Sequence, residues 1–167
     1  FLTIVGPGGT GKTSLSRELA RRFALELPDG AWFVPLADIT DEAGIYRAVG
    51  ESMKEVVAMS LVSGEGILHE IGDRSLLLVL DNFEHVTEGS SLLSELLSKC
   101  PNLKLLVTSR EKLNLEEEYT FTLEGLPFAT TFTEATKLSD AVQLFGERAR
   151  QVQPRFEVEH HLTDVVR

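Results

Sequence analysis

Eight consecutive residues, Gly6-Pro7-Gly8-Gly9-Thr10-Gly11-Lys12-Thr13, leave this chain little choice of fold. They follow an apolar run containing Leu2, Ile4 and Val5 and precede apolar residues spaced four apart, so a strand must pass through a glycine-rich loop straight into a helix. Glycines let the backbone curl until successive N–H groups point inward, which makes a concave nest at a helix N-terminus, the natural seat of a polyphosphate. The candidate binding residues are therefore Gly6, Gly8, Gly9, Thr10, Gly11, Lys12, Thr13 and Ser14. Lys12 is placed to reach the β- and γ-phosphates as a point charge, and the Thr13 hydroxyl to ligate Mg²⁺. A glycine-rich turn that merely precedes a helix is the bland alternative, and the strand–loop–helix context argues against it.

Spacing places the remaining elements. Leu15, Leu19, Phe23 and Leu27 predict a helix with one apolar stripe, ending near Pro28-Asp29-Gly30, while Arg17, Glu18, Arg21 and Arg22 form its solvated face. Trp32 to Ala37 reads as a buried strand, and Pro35, which lacks a ladder donor, puts it at a sheet edge or interrupts it. Asp41 and Glu42 open a second amphipathic helix bearing Ile45, Val49, Met53 and Val57. After Ser63, Gly64 and Gly66 comes a short helical piece with Leu68 and Ile71. Leu92, Leu93, Leu96, Leu97 and Cys100 mark another helix, and Leu103 to Arg110 and Tyr119 to Leu123 two further strands. Residues 127–134, rich in threonine, read as a connection. Ser139 and Asp140 then open a helix carrying Val142, Phe145, Ala149 and Val152, which Pro154 ends; His160, His161 and Asp164 lie where one more helix begins.

Composition narrows the functional classes. The net charge of −10 argues against direct nucleic-acid binding by this segment, because such binding rests on neutralising phosphates with Lys and Arg. No apolar run reaches membrane-spanning length and no signal peptide precedes the loop, so a cytoplasmic location is expected. Cys100 is the single cysteine and reads as packing; His69, His85, His160 and His161 lack zinc-site spacing.

The second chemical landmark is Leu76-Leu77-Leu78-Val79-Leu80 followed by Asp81. Five apolar residues ending in an acid describe a central parallel strand that delivers a carboxylate to its C-terminal end, where α/β sheets bind ligands. With the loop upstream, Asp81 resembles the Walker B acid of phosphate-loop ATPases and becomes the second candidate Mg²⁺ residue beside Thr13. Arg110, at the exit of the next strand, is either a sensor of the γ-phosphate or a surface arginine, and its location favours the sensor.

Taken in order, the loop at Gly6 to Thr13, Leu-Val-Leu-Asp-Asn-Phe-Glu-His at Leu78 to His85, Leu-Leu-Val-Thr-Ser-Arg at Leu105 to Arg110, and Ala-Val-Gln-Leu-Phe at Ala141 to Phe145 resemble the AP-ATPase branch of the STAND signalling ATPases, related to NB-ARC domains. The resemblance covers nearly the whole chain. It implies a three-layer α/β fold with a mostly parallel five-stranded sheet in the order 5-1-4-3-2, followed by the start of a helical domain, with residues 1–128 as nucleotide-binding domain and 133–167 as the helical part. It implies ATP or ADP with Mg²⁺ as ligands, and protein partners met through nucleotide-controlled oligomerisation. Lys12, Asp81, Arg110 and Glu84 are the candidate catalytic residues. Many such ATPases carry a second acid directly after the Walker B Asp; here Asn82 stands there, with Glu84 as the substitute base, which suits slow turnover. The family also holds adenine with a segment upstream of the first strand and carries a Gly-Leu-Pro-Leu motif beyond the Ala-Val-Gln-Leu-Phe helix. Gly125-Leu126-Pro127 lies before that helix and is not that motif, so the expectation is an excised core that binds nucleotide weakly.

Four other readings compete. A small-molecule kinase shares the loop, but no Arg-bearing lid is legible. Asn-Lys-x-Asp for guanine and a Leu-Ser-Gly-Gly-Gln signature of transporters are absent. A non-catalytic scaffold locked by ADP stays open, and turnover separates it from a slow ATPase switch.

Overall fold

The computed structural model describes residues 1–54, 64–86, 90–126 and 139–157. Its elements are β1 (Leu2–Val5), α1 (Lys12–Phe23), β2 (Ala31–Pro35), α2 (Glu42–Ser52), α3 (Gly64–Ile71), β3 (Leu77–Asp81), a one-turn helix Phe83–His85, α4 (Ser90–Lys99), β4 (Lys104–Ser109), β5 (Tyr119–Thr122) and α5 (Asp140–Val152). The five strands form one sheet in the order β2-β3-β4-β1-β5, which is the expected order read from the other edge. Every pairing is parallel. This is the phosphate-loop NTPase arrangement, with the ends of β1, β3 and β4 carrying the candidate site along one sheet edge.

Both faces of the sheet are covered, so β3 is buried at all five positions and its continuous apolar run is explained. Leu77 and Val79 face α1, joined by Ile4, Ala20 and Leu106 and by the flanking Leu15, Leu19 and Phe23. Leu76, Leu78 and Leu80 face the opposite layer, where Ile45, Val49 and Met53 meet Ile67, Ile71, Leu92, Leu93 and Leu96. Each such side chain contributes about 1.5–3 kcal/mol on burial. Cys100 packs within this larger layer, its thiol donating to Leu68 O at 3.8 Å, and burial pushes that thiol above its ordinary range.

Local chemistry sets the element ends. Asp41 caps α2, accepting from Gly44 N at 2.6 Å. Helix α1 stops at Phe23 rather than near Pro28: the chain tightens through Leu25 N to Arg22 O and Glu26 N to Phe23 O, i→i−3 bonds that satisfy the last carbonyls of the helix. Leu27 still packs on the α1 layer from outside the helix. Pro35 ends the edge strand β2, and the next amide, Leu36 N, donates to Asp81 O at 2.9 Å, so the proline nitrogen faces the free edge. β5 closes at Thr122, one residue short of Leu123, whose N–H nevertheless donates to Val5 O at 2.7 Å.

The chain divides into two compact units, Phe1–Glu124 and Gly125–Arg167. The first holds the whole sheet. In the second, α5 begins after Ser139 and stops before Pro154, and Phe145 meets Phe156 edge to face with 5.7 Å between ring centres. Val57, the connection at 127–134 and the segment with His160, His161 and Asp164 lie outside the described residues. Among the described residues no helix is long and apolar enough to cross a membrane.

Candidate nucleotide-binding site

At the exit of β1 the chain passes so close to Leu123 that a Cβ on Gly6 would stand 2.5 Å from the Leu123 carbonyl oxygen; glycine alone fits. Gly6 N donates to Ser109 O at 3.3 Å, and Thr10 Oγ1 folds the loop by donating to Pro7 O at 2.9 Å. Gly11, with φ 94°, then turns the chain into α1 through left-handed backbone that a side chain disfavours. The Lys12 side chain is drawn back under this loop. Its Nζ donates to Gly6 O at 2.6 Å and Pro7 O at 2.8 Å, and since an ammonium carries three protons, one remains for an anion in the loop. Gly8, Gly9, Gly11 and Ser14 are exposed.

The first turn of α1 meets the end of β3. Thr13 Oγ1 lies 2.9 Å from Asp81 Oδ2 and 3.1 Å from Oδ1, although 68 residues separate them in sequence. Thr13 is itself braced by the buried Ser16, whose hydroxyl donates to Thr13 O at 3.1 Å. Beneath the carboxylate, Thr108 Oγ1 donates to Asp81 Oδ1 at 2.6 Å and accepts from Asn82 N at 2.9 Å. These oxygens fit Mg²⁺. A hydroxyl and a carboxylate are hard oxygen donors of the kind Mg²⁺ takes, and here the Thr13 hydroxyl donates directly to Asp81 Oδ2 at 2.9 Å.

Past Asp81 the chain breaks direction at Asn82, whose φ of 65° is left-handed backbone that asparagine tolerates. The one-turn helix that follows carries Glu84 across to Arg110 at the end of β4. Arg110 Nε donates to Glu84 Oε1 at 3.0 Å, while Glu84 Oε2 is buried without a partner. The pair lines a cleft of about 460 Å³ between residues 83–86 and 109–113. Thus Thr13 and Asp81 converge, Arg110 and Glu84 pair beside them, and Lys12 and the glycines close the other end of the same sheet edge.

Residues 1–115 match the AAA domain family. The chain belongs to it. Two relatives come from Mycobacterium tuberculosis. One, named "Putative HTH-type transcriptional regulator", is 38% identical over 167 residues, covering 96% of this chain and 17% of its own length. The other, named "Uncharacterized protein", is 31% identical over 159 residues, covering 95% of this chain and 38% of its own. The chain thus spans a minor part of the curated relatives it matches. Among solved structures, the ORC2 protein of Aeropyrum pernix in its ADP form has a TM-score of 0.63 at 12% identity, covering 95% of this chain and 48% of that one. Cdc6p from Pyrobaculum aerophilum has a TM-score of 0.60 at 16% identity, covering 77% and 39%. At such identities these two show the fold.

In this AAA domain three residues escaped the sequence reading: Ser16, Ser109 and Thr108. Helical position hides Ser16, which lies one turn past Thr13 on a face that only the fold reveals as buried. Thr108 stood in the Thr-Ser-Arg run with no mark to separate it from an ordinary strand threonine.

Proposed function

We propose that this AAA domain binds ATP with Mg²⁺ and hydrolyses it slowly, as the nucleotide switch of a larger signalling or transcriptional regulator of the AP-ATPase type. The observation that carries this reading is the meeting of Thr13 and Asp81 below a complete phosphate loop. Lys12 and the loop amides would hold the phosphate chain, Thr13 and Asp81 the metal, and Arg110 the γ-phosphate. Bound Mg²⁺ would neutralise phosphate charge and align the β- and γ-phosphates. Glu84 Oε2 has no partner and is the acceptor available for a proton of water; Glu84 Oε1 is held by Arg110. Asn82 cannot act as a base, and a single carboxylate shared with a guanidinium suits slow turnover.

On this reading residues 1–128 bind nucleotide and 133–167 begin a helical domain that closes on it and controls oligomerisation. The name of the mycobacterial relative supports the regulatory setting. The acidic balance supports partners other than nucleic acid for this segment, and a cytoplasmic setting suits the ATP pool. A non-catalytic scaffold is the second reading, favoured by Asn82 where a base is usual. Calorimetric titration of Mg-ATP into parent and Lys12→Ala protein tests binding: a charge-assisted bond is worth about 1.5–3 kcal/mol, so affinity should fall roughly ten- to a hundred-fold. Equal affinities would sink the assignment, and binding without turnover would leave the scaffold.

A further inference from the structure

We infer that Thr108 is the positioning residue for the metal carboxylate: its buried hydroxyl fixes which oxygen of Asp81 faces Thr13, and so sets the Mg²⁺ affinity of the site. The inference rests on the nucleotide-binding reading above and deepens it.

Thr108 is fully buried in β4, between β3 and β1, and its hydroxyl has only one proton to give. That proton cannot wander, because the same oxygen already accepts the Asn82 N–H at 2.9 Å, leaving Asp81 Oδ1, 2.6 Å away, as the acceptor. The bond to Asp81 is short and charge-assisted. It engages Oδ1 and leaves Oδ2 without a strand-side partner, so that Oδ2 is the nearer acceptor of the Thr13 hydroxyl, at 2.9 Å against 3.1 Å for Oδ1, and the oxygen a cation beside Thr13 would meet. The Asn82 amide adds a second constraint, since it belongs to the left-handed residue at which β3 ends. Thr108 therefore fixes both the carboxylate and the backbone turn behind it. Mg²⁺ demands near-ideal octahedral geometry, so a carboxylate free to rotate about its Cβ–Cγ bond meets it less often in the right pose. Partners that orient a metal ligand in this way typically change metal affinity or activity by about 10–100-fold.

The test uses the 167-residue chain and five proteins: parent, Thr108→Val, Thr108→Ser, Asp81→Asn and the double variant Asp81→Asn with Thr108→Val. Valine keeps the shape and removes the hydroxyl; serine keeps the hydroxyl. ATP affinity is measured by calorimetry with Mg²⁺ and with EDTA, and the cation is read directly as bound Mn²⁺ by electron paramagnetic resonance in the presence of ATP. In the valine variant the Mg²⁺ enhancement of ATP affinity and the Mn²⁺ affinity should both fall about tenfold, with EDTA affinity within about twofold of the parent. Serine should restore both. In an Asp81→Asn background, Thr108→Val should change nothing further. An unchanged metal response in the valine variant overturns the inference, as does an equal loss with and without metal, which would mark a merely structural threonine. If the valine variant does not fold, Thr108→Ala read by the same two measurements decides in the same way. A parent chain that binds no ATP under either condition removes the nucleotide reading itself and the inference with it, an outcome distinct from tight binding indifferent to Thr108.

Discussion

Arg110 and Glu84 lie 26 residues apart in sequence and share one hydrogen bond, and that bond gives the candidate sensor a second job. Held through Nε, the guanidinium keeps its two terminal nitrogens for a phosphate. Arg110→Ala should therefore lower affinity for ATP about tenfold while leaving ADP affinity unchanged, read by paired titrations; equal losses for both nucleotides would remove the sensor role. Glu84→Gln keeps an acceptor for Arg110 but loses basicity, so turnover should drop by about 10²-fold or more at unchanged ATP affinity. Unaltered turnover would move the base elsewhere. The separate ends of this pair were legible, Arg110 from its place after an apolar strand and Glu84 from the run that starts at Asp81. Their pairing was not, since it depends on β3 and β4 lying side by side and on the turn at Asn82. Thr108 was hidden for a related reason: a hydroxyl becomes a positioning group only once the neighbouring strand sets a carboxylate against it.

Between elements, the packing of α2 on α4 carries a titratable contact. Tyr46 Oη donates to Glu95 Oε2 at 3.2 Å, and Lys99 Nζ donates to Glu95 Oε1 at 2.7 Å. Burial first, then the charge and hydrogen bond of Glu95, push the Tyr46 phenol up to about 12. A raised folded-state value favours the protonated phenol. Its contribution to stability is therefore complete below about pH 10, the unfolded value, and is lost as pH rises through about 12. The thermal midpoint should fall over that interval, and Tyr46→Phe should flatten the fall; an identical slope in the variant would show that other groups cause it. Helix and strand periodicity made most of these elements readable in advance, β3 above all. What failed were ends, such as α1 closing four residues before Leu27, because a side chain can reach the core from a turn as well as from a helix.

The whole molecule concentrates its resources in the unit Phe1–Glu124. Both apolar layers, the five strands and every residue placed in the candidate site lie within it. A chain of that length buries most of the apolar surface a single domain needs, roughly two thirds of its unfolded area. A fragment ending at Glu124 should accordingly unfold in one cooperative transition by calorimetry and keep the affinity of the 167-residue chain for inorganic phosphate within about twofold, since the loop amides and Lys12 supply that contact unaided. The adenine and the switch are another matter. If the helical region beyond Gly125 closes on nucleotide as proposed, the fragment should lose any preference between ATP and ADP that the longer chain shows, while phosphate capture persists. Retention of the full preference would confine the switch to the sheet unit, to Arg110 and Glu84, and would leave the helical region as an adaptor to partners. Loss of phosphate binding together with the preference would instead mean that the loop cannot hold its shape alone.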